Sequence, residues 1–255
     1  MTQGPVGIHC PDHASTGGKA AAPRRAVRSA SGSLSLRGPF VTFTLIGINV
    51  GVFLLQLLMG AGLSTNTGWI YEHGVLVSSA VDSAGQVVGV AEGDWWRLGT
   101  AMFLHYGPLH LGMNMLVLWF IGPPLEDYLG HGRYALLYLV SGLAGAAGAL
   151  IYSPNALTVG ASGAIWGLMG AAVVLEAKRI YVFGGQAMGL VVFNLIFTLV
   201  LVRSGVSLGG HIGGGIGGAL AALAFSSLRR SPTLATLSMA AVGVVSVVLA
   251  VQSVA

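Results

Sequence analysis

Charge is what this sequence lacks most. Of its 255 residues only 8% are Asp, Glu, Lys or Arg, against about a quarter in ordinary soluble domains. With 54% of the residues hydrophobic, so few charges cannot cover a water-soluble globule of this size, and the chain is expected to sit in a membrane. Cysteine is nearly absent: Cys10 alone can form no internal disulfide and says little about redox compartment. The formal net charge of +4 comes without any basic patch interleaved with aromatics, so nucleic acid is not an expected partner. The early apolar stretch of a cleavable signal peptide is missing as well. Residues 1–38 are instead polar and rich in Gly, Ser, Pro and Arg, and are expected to form a disordered basic tail. Within it His9, Cys10, Asp12 and His13 fall short of a zinc site, which usually takes four well-spaced ligands, commonly with paired cysteines. No metal or cofactor is expected.

What the chain has in abundance is apolar sequence. Seven segments stand out, approximately Phe40–Met59, Leu109–Leu125, Tyr134–Tyr152, Ser162–Leu175, Phe183–Val202, Leu208–Phe225 and Leu234–Val254. Most approach the roughly 20 residues that cross a bilayer as a helix, the state in which backbone groups satisfy one another where lipid cannot. The fold class expected is therefore all-α, a polytopic integral membrane protein. With the N-terminus in the cytoplasm, the inner segments hold ten of the twelve Lys and Arg residues and the outer ones only Arg97 and Arg203, a strong positive-inside bias. Seven crossings then put the C-terminus outside. Ten Arg against two Lys, with abundant Ala, Gly and Val, suits a bacterial plasma membrane. The long outer segment from Gly60 to Pro108 carries Trp69, Trp95 and Trp96. Loops of that length are usually functional and interfacial aromatics suggest partial burial in the outer leaflet, although a mere connector is the plainer alternative.

Polar residues inside apolar spans are costly and point to function. His110, Asn114, Ser162 and His211 each lie near the start of an even-numbered segment, and even-numbered segments start at the outer face. Crossing parity alone thus brings all four to one side. The fourth segment is short: 14 residues precede Glu176, Lys178 and Arg179, about 20 Å of helix in a core about 30 Å thick. Ser162 is therefore expected roughly 10 Å below the outer surface. Serine needs an adjacent base to act as nucleophile, and His211 suits that role. Gly210, Gly214 and Gly218 recur every four residues, and segment four offers Gly163, Gly167 and Gly170; helices with such smooth faces can pack closely. No Asp or Glu lies in the outer half of any span, so a dyad is expected rather than a triad. The Ser162 amide, heading a helix, and the His110 and Asn114 side chains, one turn apart, could serve a developing oxyanion. Trp166, one turn after Ser162, could stack on His211. These residues taken alone also fit a proton-coupled carrier built on His110 and His211, or a heme ligand.

At these positions the sequence resembles the rhomboid family of intramembrane serine proteases over about residues 40–228. Gly160-Ala161-Ser162-Gly163 resembles the family's GxSG, and His211 with its following glycines resembles the sixth-helix motif, with Gly210 where Ala is usual. His110-Leu111-Gly112-Met113-Asn114 matches HxxxN in the second helix, Trp96-Arg97 the WR pair of the first loop, and Glu126 the glutamate that ends helix two. The resemblance implies a six-helix catalytic domain at 39–228 and an added transmembrane helix at 229–255. It implies a Ser162–His211 dyad, an oxyanion site of His110, Asn114 and the Ser162 backbone, and structural roles for Trp96, Arg97, Glu126, Gly160, Gly163, Gly214 and Gly218. It further implies substrates that are single-span membrane proteins cut near the outer boundary, and a fifth helix that, with its preceding segment and the Arg203–Gly209 loop, gates lateral access. A catalytically silent scaffold that binds membrane helices is the alternative within the same resemblance.

Overall fold

The structure, a computed structural model, describes residues 2–4, 7–9, 38–63, 67–201 and 206–255. Two compact units divide the chain, Met1–Ser35 and Leu36–Ala255. In the first, β1 (Thr2–Gly4) pairs antiparallel with β2 (Gly7–His9), Thr2 opposite His9. This short ribbon departs from the expected disordered tail at those six residues, where paired backbone groups satisfy one another. The remainder of that tail, with Cys10, Asp12 and His13, lies outside the described residues, as does Arg203.

The second unit is a helical bundle. All seven apolar segments become helices: α1 (Phe40–Leu58), then after the first loop α4 (Pro108–Leu129), α5 (His131–Tyr152), α6 (Ser162–Ala177), α7 (Ala187–Leu201), α8 (Leu208–Ser227) and α9 (Pro232–Gln252). Four of them, α1, α5, α8 and α9, are long and apolar enough to cross a membrane; α6 and α7 are shorter apolar helices. In α4 the polar His110, Asn114, Glu126 and Asp127 dilute an otherwise apolar 22-residue helix. The chain is thus an all-α polytopic membrane protein.

Helix ends explain where the boundaries move. The second helix runs past Leu125 to Leu129 because Glu126, buried within it, reaches across to α1. Its carboxylate accepts from the amides of Val41 (2.7 Å) and Thr42 (2.8 Å) and from Thr42 Oγ1 (2.7 Å), which satisfies amides that the start of a helix leaves unpaired. Likewise the fifth helix starts at Ala187 rather than Phe183. Gly184 and Gly185 hold positive φ of 64° and 89°, and Glu176 accepts from the amides of Gly185 and Ala187, both at 3.0 Å. Ser207 caps α8 by accepting from the Gly210 amide at 3.1 Å.

Helix α6 is the centre of the bundle. Ala164, Leu168, Ala171 and Leu175 are fully buried along it, and it packs against α8, α5, α4 and α7. Helix α9 lies against α5 and α8. The closest approaches are backbone on backbone. A Cβ added at Gly214 would stand 2.0 Å from the Gly163 carbonyl oxygen, and one at Gly218 2.0 Å from that of Gly167. Helix α5 joins the same seam, where a Cβ at Gly148 would meet the Gly209 carbonyl oxygen at 2.3 Å.

The first loop is folded rather than a slack connector. It contains α2 (Trp69–Gly74), a hairpin of β3 (Ala80–Val81) and β4 (Val87–Val88), a 3-10 turn at Val90–Glu92, α3 (Arg97–Thr100) and a second 3-10 turn at Ala101–Phe103. Arg97, almost wholly buried, organises it. Its Nε donates to Asp94 Oδ2 (2.9 Å) and its Nη1 to the carbonyls of Glu72 (2.7 Å) and Val75 (3.0 Å). Trp96 Nε1 donates to the His73 carbonyl at 3.0 Å while its ring stays exposed.

Candidate active site

Three chain segments meet at Ser162. The first loop is stitched by backbone bonds to the turn that leads into it: Leu76 and Thr158 exchange amide–carbonyl bonds of 3.1 and 2.9 Å, and the Gly160 amide donates to the Ala101 carbonyl at 2.9 Å. Gly160 then turns the chain at φ +124°, a conformation open to glycine and strained for other residues. Its missing side chain matters a second time, because a Cβ there would lie 2.7 Å from His110 Cε1 and 3.8 Å from Asn114 Nδ2. Two residues later Ser162 opens α6.

Ser162 Oγ lies 3.0 Å from His211 Nε2. The His211 ring is buried and stacks on Trp166, with centroids 5.2 Å and planes 23° apart. Gly163, beside the serine, forms the floor on which Gly214 rests, one turn after His211. Among the described residues no carboxylate is hydrogen-bonded to His211. Asn114 is buried and its Nδ2 donates to the His110 carbonyl at 3.0 Å; His110 Nδ1 accepts from the Tyr106 amide at 3.3 Å. His110 and Asn114 therefore lie against the Gly160 backbone, and His211 reaches Ser162 from α8. A cavity of about 30 Å³ beside the serine is lined by Met102, Gly142, Gly145, Ala146, Ser162 and Gly210 among others. That is room enough to admit water.

Outside the membrane-spanning segments two further groups bear on this region. His105 is buried next to His110, ring centroids 5.1 Å apart. Burial, followed by the His110 neighbour, holds its imidazole down to about 3. Burial also pushes the Tyr106 hydroxyl above the usual tyrosine range, so it remains a proton donor at neutral pH.

Of the site residues expected from the sequence, His110, Asn114, Ser162, Trp166 and His211 gather here with Gly160, Gly163 and Gly214; Gly218 packs on Gly167 further along the seam, and Trp96, Arg97 and Glu126 lie apart from the serine, in the loop scaffold and at the foot of α1. Three contributors escaped the sequence reading. Gly145 of α5 packs where α6 and α8 converge: a Cβ on it would sit 3.1 Å from both Gly163 Cα and the Gly210 carbonyl oxygen. Its signal was legible in the run Gly142, Gly145, Ala146 and Gly148. Ser207 was the second. A Cβ at Gly210 would lie 2.9 Å from its capping Oγ, which gives a local reason for glycine at 210. Tyr106, the third, carried no signal in composition or spacing.

A family model for the rhomboid domain matches residues 92–228, more than half of the chain. Rhomboid protease GluP of Bacillus subtilis (strain 168) is 36% identical over 160 residues, covering 61% of this chain and 30% of that protein. RHOMBOID-like protein 2 of Arabidopsis thaliana is 39% identical over 110 residues, 43% of this chain and 35% of the relative. RHOMBOID-like protein 6, mitochondrial, of the same plant is 47% identical over 76 residues, 30% and 25% of the two chains. The chain thus spans only about a third or less of these relatives' own lengths.

Proposed function

This chain belongs to the rhomboid family, and from that premise we propose that it is an intramembrane serine endopeptidase in which Ser162 is the nucleophile and His211 its general base. The observation that carries this reading is the 3.0 Å approach of His211 Nε2 to Ser162 Oγ, two residues on different helices and 49 positions apart in sequence. In the reaction, Ser162 Oγ–H donates to Nε2 as Oγ attacks the scissile carbonyl; the proton then passes from His211 to the leaving amine, and water repeats the sequence on the acyl-enzyme. Negative charge develops on the carbonyl oxygen. Three donors sit near that position: the Ser162 amide, which heads α6 and has no intrahelical acceptor, the His110 side chain and Asn114 Nδ2. Together they form the oxyanion site. Trp166 holds the His211 ring in plane by stacking, and the Gly163–Gly214 and Gly167–Gly218 contacts keep the two helices close enough for the dyad.

The substrates are single-span membrane proteins, reached within the bilayer and cut near its outer boundary, because polar residues at the starts of α4, α6 and α8 gather at one end of the bundle. The N-terminus is cytoplasmic and the C-terminus extracytoplasmic, in a bacterial plasma membrane. Helix α9 packs on α5 and α8 and has no catalytic part.

A fluorophosphonate probe tests the dyad on the purified protein. Labelling that is lost in Ser162→Ala and falls strongly in His211→Ala is the expected result, with cleavage of a single-span substrate lost in parallel. A silent scaffold predicts neither labelling nor cleavage. A proton-coupled carrier predicts solute flux in vesicles that Ser162→Ala leaves intact.

A further inference from the structure

Between the second 3-10 turn and α4 the chain reads Leu104-His105-Tyr106-Gly107. Tyr106 engages His110 twice and the nucleophile's loop once. Its amide donates to His110 Nδ1 at 3.3 Å. Its ring stacks on the imidazole, centroids 5.7 Å and planes 26° apart. Its hydroxyl donates to the carbonyl of Leu157, in the turn that runs through Thr158 and Gly160 to Ser162. His105 lies against the His110 ring as well. The imidazole is thus held by its neighbours in the first loop.

A neutral imidazole that accepts at Nδ1 carries its proton on Nε2. That nitrogen lies over Gly160, where an added Cβ would stand 3.0 Å away, so the N–H is on the side of the Ser162 turn. In the other tautomer Nε2 would present a lone pair to the developing oxyanion, repelling the charge it is there to stabilise. We infer that Tyr106 is a positioning residue for peptide hydrolysis: its amide sets His110 as the Nε2–H donor, and its ring and hydroxyl hold that donor at a fixed spacing from the turn that presents Ser162. The inference rests on the reading of His110 as an oxyanion donor. Tyr106 itself touches no reacting atom.

The test measures cleavage of a single-span substrate in proteoliposomes, with kcat expressed per fluorophosphonate-titrated site. Tyr106→Phe keeps the ring and amide and removes only the tie to Leu157; kcat is expected to fall roughly fivefold, the loss of one modest hydrogen bond. Tyr106→Ala removes the clamp and is expected to lower kcat about 10²-fold, as for a displaced oxyanion donor. In both variants KM stays near the wild-type value. A merely structural tyrosine would lower the titrated fraction and the thermal midpoint and leave kcat per site unchanged, which would overturn the inference. Independently of activity, side-chain 15N spectra of histidine-labelled protein, with His110 assigned by its loss in His110→Gln, should show the Nε2–H tautomer. An Nδ1–H signal would overturn it as well. Cleavage that survives Ser162→Ala would instead sink the active-site reading, and the tautomer measurement would stand apart from it.

Discussion

Replacing Gly214 by alanine adds one methyl group at one of the two tightest points between α6 and α8. That Cβ would stand 2.0 Å from the Gly163 carbonyl oxygen and 2.7 Å from its carbon, where ordinary contact begins at 3.4 Å. The atoms it meets are backbone, so no side chain can swing aside, and the helices must part by about 1.4 Å. Gly163 adjoins Ser162, and Gly214 is three residues from His211. A separation of that size carried through both helices stretches the 3.0 Å contact between His211 Nε2 and Ser162 Oγ beyond the roughly 3.2 Å reach of a general base. Misplacement by about 1 Å costs on the order of 10²-fold in rate, and overpacking costs about 1–3 kcal/mol in stability. Gly214→Ala is therefore expected to fold with a lowered thermal midpoint and to cleave a single-span substrate about 10²-fold more slowly. Gly51→Ala, in α1 with nothing within 4 Å of the added Cβ, is the control. It should keep full activity and gain roughly 0.5–1 kcal/mol in helix preference. Wild-type turnover in Gly214→Ala would refute the claim that glycine contact, rather than helix sequence in general, sets the dyad's distance.

Three further outcomes follow from the scaffold. Glu126→Gln removes the charge that receives the Val41 and Thr42 amides, so the thermal midpoint should drop by the equivalent of about 1.5–3 kcal/mol, while turnover per folded molecule stays unchanged. Arg97→Lys replaces a fork that reaches Asp94, Glu72 and Val75 with a point charge that cannot span all three; limited proteolysis should then nick the first loop faster, and an unaltered cleavage pattern would count against Arg97 as its organiser. His105 has a folded value near 3 against an ordinary 6.5, so below pH 6.5 the unfolded chain takes up a proton that the folded one refuses. Its contribution to stability is complete above that pH and is lost as the pH falls toward 3. The acid-side decline in thermal midpoint should be shallower in His105→Phe.

The sequence by itself determined the membrane class and the seven helices, and crossing parity predicted that the starts of α4, α6 and α8 share one end of the bundle. Hydrophobic run length and crossing parity are properties of a one-dimensional string, and the short segment before Glu176 led to the expectation that Ser162 lies below the outer surface. Spacing also anticipated the glycine face of α8, since a four-residue repeat needs no knowledge of the partner. Tertiary structure decided which faces meet. That α5 joins the seam through Gly145 and Gly148, that Glu126 and Glu176 each receive the amides at another helix's start, and that Leu76 pairs with Thr158 all depend on contacts between segments far apart in the chain. Local pattern cannot register these. The same holds for Tyr106: a tyrosine before a helix is unremarkable as a letter, and its tie to Leu157 exists only once the first loop lies against the turn that carries Ser162. Hydrophobic pattern sets which residues enter the bilayer, while the hydrogen bonds and close backbone contacts that aim catalytic atoms depend on packing in three dimensions.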